Sequence, residues 1–102
     1  MQTAVKSLNQ IAQEIDDYIN KCGGEYSSWY VGVASDPRAR LFNDHNVDEK
    51  NDYWIYRDCG SDTSARKVED YFINKGCKGG TGGGDHTTRY VYAYRIGRNT
   101  IE

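Results

Sequence analysis

The chain has 102 residues, a length that allows one domain (residues 1–102) with a single modest core. Its formal net charge is −2 at pH 7. Hydrophobic residues make up only 37%, but nine tyrosines and two tryptophans supply enough burial to exclude a disordered chain. No apolar run reaches about 18 residues, which excludes a membrane-spanning helix. The slight acidity also excludes a protein that coats nucleic acid through its overall charge, although a local basic patch could still bind phosphates.

The cysteines and the amino-terminal residues bear on the cellular compartment. The chain has three cysteines, Cys22, Cys59 and Cys77, without C-x-x-C spacing. An odd number excludes a complete disulfide framework, and the spacing does not indicate a zinc knuckle. Residues 1–6 lack the apolar segment of a secretory signal. We therefore expect a cytoplasmic protein. Its oligomeric state stays open, although exposed aromatic side chains would favour self-association.

The first half of the chain predicts a helix, a strand and a second helix. Apolar residues recur at helical spacing over residues 7–22, and Gly23-Gly24 would stop that helix. Residues 29–34 alternate between two faces, as in a strand. Asp36-Pro37 is typical of a cap followed by proline at the first helical position, and this helix would run to about residue 44.

The second half predicts a strand over residues 53–57, a capped helix that ends at Gly76, and a last strand over residues 89–96. Residues 76–86 are too rich in glycine for a regular element and predict a loop. The element order is then α-β-α-β-α-β. We expect an α+β domain in which a small three-stranded sheet packs with helices against one face.

Two segments share a spacing that suggests a chemical site. Tyr30-Val31-Gly32 is followed by Arg40 ten residues after the tyrosine, and Ala65 lies four residues before Glu69 on the third helix. This pattern, which covers residues 29–76, resembles the second signature strand, the arginine helix and the glutamate helix of the GIY-YIG nuclease family.

The resemblance implies a Mg²⁺-dependent endonuclease that hydrolyses phosphodiesters of nucleic acid. Glu69 would hold the metal ion, and Arg40 would neutralise charge on the phosphoryl group. Tyr30 would orient or deprotonate the attacking water, and His45 would assist as a proton acceptor. The sequence itself does not distinguish DNA from RNA.

The family's opening Gly-Ile-Tyr strand is absent from its usual place before Tyr30. Our hypothesis is a permuted arrangement, in which the last strand takes that place and returns Tyr92 to the site. His45 follows Arg40 by five residues where the family has four, so an α-helix would turn it about 100° away and place Asp44 at the expected position.

Substrate contacts are predicted in two places. Gly32 and Arg38 belong to the signature segment, and Gly82 and Gly83 lie in the glycine loop, whose backbone N–H groups could wrap a phosphate. A loop that merely needs positive φ angles explains the same glycines. The last strand carries tyrosines at every second position, which could stack on bases but more simply pack within the sheet.

Each candidate site residue also has a purely structural explanation. Tyr30 could pack on the sheet, Arg40 could form a surface ion pair, and Glu69 could lie at the edge of an apolar stripe. The alternative to a nuclease is therefore a catalytically inactive module of the same class, which binds a protein partner or nucleic acid.

Overall fold

The computed structural model describes residues 7–80 and 87–102, in which helical and extended segments alternate along the chain. The α-helical segments are α1 (Leu8–Lys21), α2 (Pro37–Ala39) and α3 (Asp62–Lys75). The strands are β1 (Trp29–Ala34), β2 (Trp54–Asp58) and β3 (Tyr90–Arg95). The predicted α+β class is confirmed.

The two long helices begin and end at the local signals of the sequence. The Ser7 hydroxyl accepts a hydrogen bond from the backbone N–H of Gln10, whose side chain accepts one in return from the N–H of Ser7. Ser61 caps α3 by accepting a hydrogen bond from the N–H of Ser64 at 3.1 Å. Gly76 ends α3 at a φ of 121°, which favours glycine.

The sheet is antiparallel, with strand order β1-β3-β2. The last strand of the sequence therefore lies in the centre and pairs with both others. Its register places Tyr92 between Gly32 of β1 and Tyr56 of β2. Two predicted boundaries are corrected, because β2 covers residues 54–58 and β3 covers residues 90–95.

The two faces of the sheet are covered differently. Helices α1 and α3 pack on one face, which we call the apolar face and which contains Ile11, Ile15, Ile19, Trp29, Val31, Val68, Phe72, Val91 and Ala93. The opposite face, the tyrosine face, contains Tyr30, Tyr92, Tyr94, Ala34, Leu41 and Val47. Leu41 follows α2, so the expectation that all helices pack against one face is wrong: the segment after α2 packs on the other.

No helix within residues 7–80 and 87–102 is long and apolar enough to cross a membrane. Cys22, Cys59 and Cys77 are free thiols. Burial raises the pKa of Cys59 and of Cys77 to about 11, so these two thiols are protonated at neutral pH.

Candidate functional site

The helix predicted to run to residue 44 changes its winding after Ala39. Arg40–Asp44 form a π-helical turn, closed by a hydrogen bond of 2.9 Å from the N–H of His45 to the carbonyl of Arg40. This wide turn accommodates one extra residue. His45 consequently occupies the place that the fourth residue after Arg40 would take in an α-helix, and it is buried against the tyrosine face with 4% exposure. The predicted 100° displacement of His45 is wrong for this reason.

Gly32 makes room for a tyrosine from the neighbouring strand. A Cβ atom at Gly32 would lie 2.5 Å from the hydroxyl oxygen of Tyr92 and 2.6 Å from its Cζ. The Tyr92 ring therefore lies across the bare backbone of β1. The same ring lies 6.4 Å from that of Tyr30, nearly parallel to it. Gly32, which was predicted to contact substrate, therefore lies against Tyr92, another of the predicted site residues.

His45 lies at the centre of a buried network of hydrogen bonds. Its Nε2 is 2.7 Å from the hydroxyl of Tyr92, and its Nδ1 is 2.6 Å from the carbonyl oxygen of Ile101. A carbonyl can only accept, so Nδ1 carries the proton and Nε2 of the neutral ring accepts from Tyr92. The Tyr94 hydroxyl also donates to the Ile101 carbonyl, at 3.1 Å.

The network is neutral near pH 7. Burial lowers the pKa of His45 and outweighs the opposing effect of its hydrogen bond to Ile101, and the charge of Arg40 lowers it further. Burial raises the pKa of Tyr92 and of Tyr94. The ring of Tyr30 completes the cluster, with its centroid 4.7 Å from that of His45 and 5.3 Å from that of Tyr94.

Arg40 lies at the solvent side of this cluster. Its Nε is 2.9 Å from a carboxylate oxygen of Asp44, and its side chain is 47% exposed. The charge of the guanidinium lowers the pKa of His45; at Tyr92 it only partly offsets the larger effect of burial, which keeps that pKa raised. The half-exposed guanidinium of Arg40 is accessible to an anion such as phosphate from solvent.

Glu69 is a buried residue of α3. It is only 5% exposed, and burial raises the pKa of its carboxyl to about 7, with a smaller contribution from Asp70. Its charge also contributes to the raised pKa of Tyr92. Within the described part of the chain, no three His, Cys, Asp or Glu side chains are grouped as metal ligands.

The other predicted contacts are distributed unevenly. Arg38 forms an ion pair of 2.6 Å with Glu49 and lies over the ring of Phe42, so it belongs to a neighbouring surface. Gly82 and Gly83 lie outside the described residues. The near end of the glycine loop does reach the site, because a Cβ atom at Gly80 would lie 3.3 Å from the hydroxyl of Tyr30.

That near end also pairs with the sheet, which the loop prediction did not foresee. Lys78 forms a parallel bridge with Tyr30, with hydrogen bonds of 2.8 Å from the N–H of Val31 to the carbonyl of Lys78 and from the N–H of Lys78 to the carbonyl of Trp29. The first part of the loop is thereby fixed along the edge of β1.

Sequence reasoning missed Tyr94 and Ile101 as parts of the site. The alternation of tyrosines on β3 was a usable signal for Tyr94, because Tyr94 and Tyr92 must share a face. Ile101 contributes through its backbone, and its exposed side chain carries no signal.

Comparison with known proteins adds no relative: no family model matches the chain, and no curated protein or solved structure matches it. The resemblance to GIY-YIG nucleases therefore stays a prediction that rests on residues 29–76 and on the permuted strand.

Proposed function

We propose that this chain is a Mg²⁺-dependent, endonuclease-like domain that hydrolyses phosphodiesters of nucleic acid. The observation that carries the proposal is a set of four polar residues from four elements that influence one another through ring contacts or charge. Tyr30 and Tyr92 come from adjacent strands, and Arg40 comes from the π-helical turn. Glu69 comes from α3 and lies close enough to act electrostatically on Tyr92.

The donor at Glu69 fits a hard cation. Mg²⁺ prefers oxygen ligands and is commonly held by one or two carboxylates together with waters and phosphate oxygens. The carboxyl of Glu69 is 5% exposed and its pKa is raised to about 7, so its ionisation is unfavourable unless a cation lies close to it. When bound, the ion would supply charge neutralisation at the scissile phosphate and at the leaving oxygen.

The protein residues then divide the remaining work. The half-exposed guanidinium of Arg40 binds the phosphate and stabilises the negative charge that develops on it. Tyr30, which is half-buried beside Gly80, orients the attacking water. Tyr92 and His45 are 1% and 4% exposed, so they support the site from below: Tyr92 stacks on the ring of Tyr30, and His45 makes a tilted contact with it.

The test is cleavage of supercoiled plasmid and of single-stranded DNA and RNA, with and without Mg²⁺. Glu69→Gln removes the carboxylate at nearly constant shape and is compared with Asp70→Asn, an exposed acid on the same helix. Arg40→Gln is compared with Arg57→Gln, whose guanidinium pairs with Glu14. We expect the first variant of each pair to lose at least a hundredfold in rate and its control to retain activity.

A second readout separates metal binding from turnover. Mg²⁺ should raise the melting temperature of the wild-type chain but not of Glu69→Gln, because a ligand stabilises only the state that binds it. Absence of cleavage on every substrate, or equal cleavage by Glu69→Gln and Asp70→Asn, would overturn the proposal. The three free thiols favour a reducing compartment such as the cytoplasm for this activity.

A row of aromatic rings beside the site favours a second candidate function, a non-catalytic module that binds nucleic acid or a protein. Trp54 lies 5.0 Å from Phe42 and 6.1 Å from Tyr56, and Tyr56 lies 6.2 Å from Tyr90 (centroid distances). Guanidinium groups cover both ends of the row, Arg38 over Phe42 and Arg89 over Tyr90.

Binding of labelled oligonucleotides in the presence of chelator tests this candidate. Trp54→Ala should weaken binding, whereas Tyr53→Ala, at an exposed tyrosine outside the row, should not. A binding module would lose nothing with Glu69→Gln.

A further inference from the structure

The carboxyl-terminal turn, residues 97–101, is held against the site by backbone groups. The N–H of Ile101 donates to the carbonyl of His45 at 2.8 Å, and the carbonyl of Ile101 accepts from Nδ1 of His45 at 2.6 Å. The same residue thus contacts both the backbone and the ring of His45.

Further contacts fix the turn itself. The side-chain amide of Asn46 donates to the carbonyl of Asn99 at 2.9 Å, and the Thr100 hydroxyl accepts from the N–H of Gly97 at 2.9 Å. The Tyr94 hydroxyl donates to the Ile101 carbonyl from the sheet side. The carbonyl of Ile101 therefore has a defined position beneath His45.

We infer that this turn is a positioning element of the site, which sets the direction of the hydrogen bond between His45 and Tyr92. With Nδ1–H bound to the Ile101 carbonyl, Nε2 is an acceptor and the Tyr92 O–H points at it. Because its O–H is then directed at His45, the Tyr92 oxygen can act toward the rest of the site only as an acceptor. In the opposite tautomer, Nε2–H would donate to Tyr92, and the phenolic O–H would face the site as a donor.

The turn consequently selects between an acceptor and a donor at Tyr92. Tyr92 supports the ring of Tyr30, which orients the water, so displacement of residues 97–101 would lower the activity of the site. Only this catalytic consequence rests on the proposed function; the selection of the tautomer does not.

Nuclear magnetic resonance of the histidine ring tests the inference. The chain has two histidines, so His86→Gln leaves His45 as the only one. Long-range ¹H–¹⁵N correlation then shows which ring nitrogen is protonated. Ile101→Pro removes the N–H that anchors the turn, whereas Ile101→Ala keeps both backbone groups and removes a side chain that is 58% exposed.

We expect a protonated Nδ1 and a bare Nε2 in the His86→Gln background and with Ile101→Ala added. With Ile101→Pro added, both tautomers should be populated. If Ile101→Pro fails to fold, Tyr94→Phe should still increase the population of the minor tautomer, because it removes the hydroxyl that donates to Ile101 and lies 3.0 Å from Nδ1 of His45. A protonated Nε2 in the background protein, or identical ring spectra for all variants, would overturn the inference.

Kinetics connect the tautomer to the site. If the chain cleaves nucleic acid, Ile101→Pro should lower kcat at least tenfold while KM changes less than twofold, and Ile101→Ala should change neither. Equal kcat values for these two variants would refute the catalytic consequence. If the wild-type chain does not cleave but the tautomers respond as expected, the positioning holds and the proposed function fails.

Discussion

The two faces of one sheet are built on different physical principles. On the apolar face, α1 and α3 bury aliphatic and aromatic side chains, which pack without directional bonds. On the tyrosine face, Tyr92, Tyr94 and His45 are buried just as deeply, but hydrogen bonds join them to one another and to Ile101. The packing of the apolar face depends on the volume of its side chains, whereas the arrangement of the tyrosine face depends on which atoms donate hydrogen bonds and which accept them.

This difference explains why the candidate site lies where it does. Buried polar groups are costly unless every donor and acceptor is matched, so a satisfied network has one arrangement and positions its members accurately. An apolar layer supplies most of the stability but tolerates substitutions of similar volume. The four predictions that follow test this contrast.

The largest effect is expected on the apolar face. Phe72 is fully buried between α3 and the sheet, and Phe72→Ala should lower the free energy of unfolding by about 3–5 kcal/mol, because it removes apolar contacts and leaves a cavity. Denaturant unfolding measures this loss. Phe72→Leu, which keeps most of the volume, should cost less than half as much, and equal losses would contradict a face that depends on volume.

Gly32→Ala should disrupt the tyrosine face through a single methyl group. The new Cβ atom would overlap with the Tyr92 ring and hydroxyl, and relief requires Tyr92 to move away from His45. We expect a loss of about 1–3 kcal/mol in unfolding free energy, together with a changed His45 ring spectrum. Gly97→Ala is the matched control, because no atom of the described residues lies within 4 Å of its Cβ position. Similar stabilities for the two variants would contradict the close contact.

Glu69 should make the stability of the metal-free protein depend on pH. Burial raises the folded-state pKa of its carboxyl from 4.5 to about 7, so between these values the folded state keeps a proton that the unfolded chain has released. The contribution of Glu69 to the free energy of unfolding therefore falls as pH rises from about 4.5 to about 7.

Glu69→Gln abolishes this dependence because the amide does not titrate. Relative to the wild-type chain in chelator, the variant should gain on the order of 2 kcal/mol in unfolding free energy between pH 4.5 and pH 8. Urea unfolding at the two pH values measures the change. If the difference in unfolding free energy between variant and wild type is the same at both pH values, Glu69 is not desolvated.

The smallest effect on stability is expected from the ion pair at the surface. Asp44→Asn removes the partner of Arg40, but both side chains are about half exposed, so the unfolding free energy should change by only about 0.2–0.5 kcal/mol. Affinity for inorganic phosphate, measured by calorimetry, should increase because Arg40 is released. Asp58→Asn, which removes the partner of Arg89, should leave phosphate affinity unchanged; an equal gain in both variants would contradict a phosphate site at Arg40.

The local sequence determined the elements with considerable accuracy. Caps at Ser7 and Ser61, the stop at Gly76 and the alternation in β1 all act within a few residues, so their effects can be read without knowledge of the fold. The α+β class follows from the order of these elements. The spacing between Arg40 and His45 was misread, because nothing local indicates that one turn winds as a π-helix.

The tertiary structure decided how these elements meet. The central position of β3, the passage of Tyr92 across Gly32 and the contact of Ile101 with His45 join residues that are more than 30 positions apart in the sequence. Such contacts depend on the order of the strands and on backbone groups, and neither produces a recognisable pattern in one amino-acid sequence. The sequence alone therefore determined the residue types available for a site, and the antiparallel register determined which of them share a hydrogen bond.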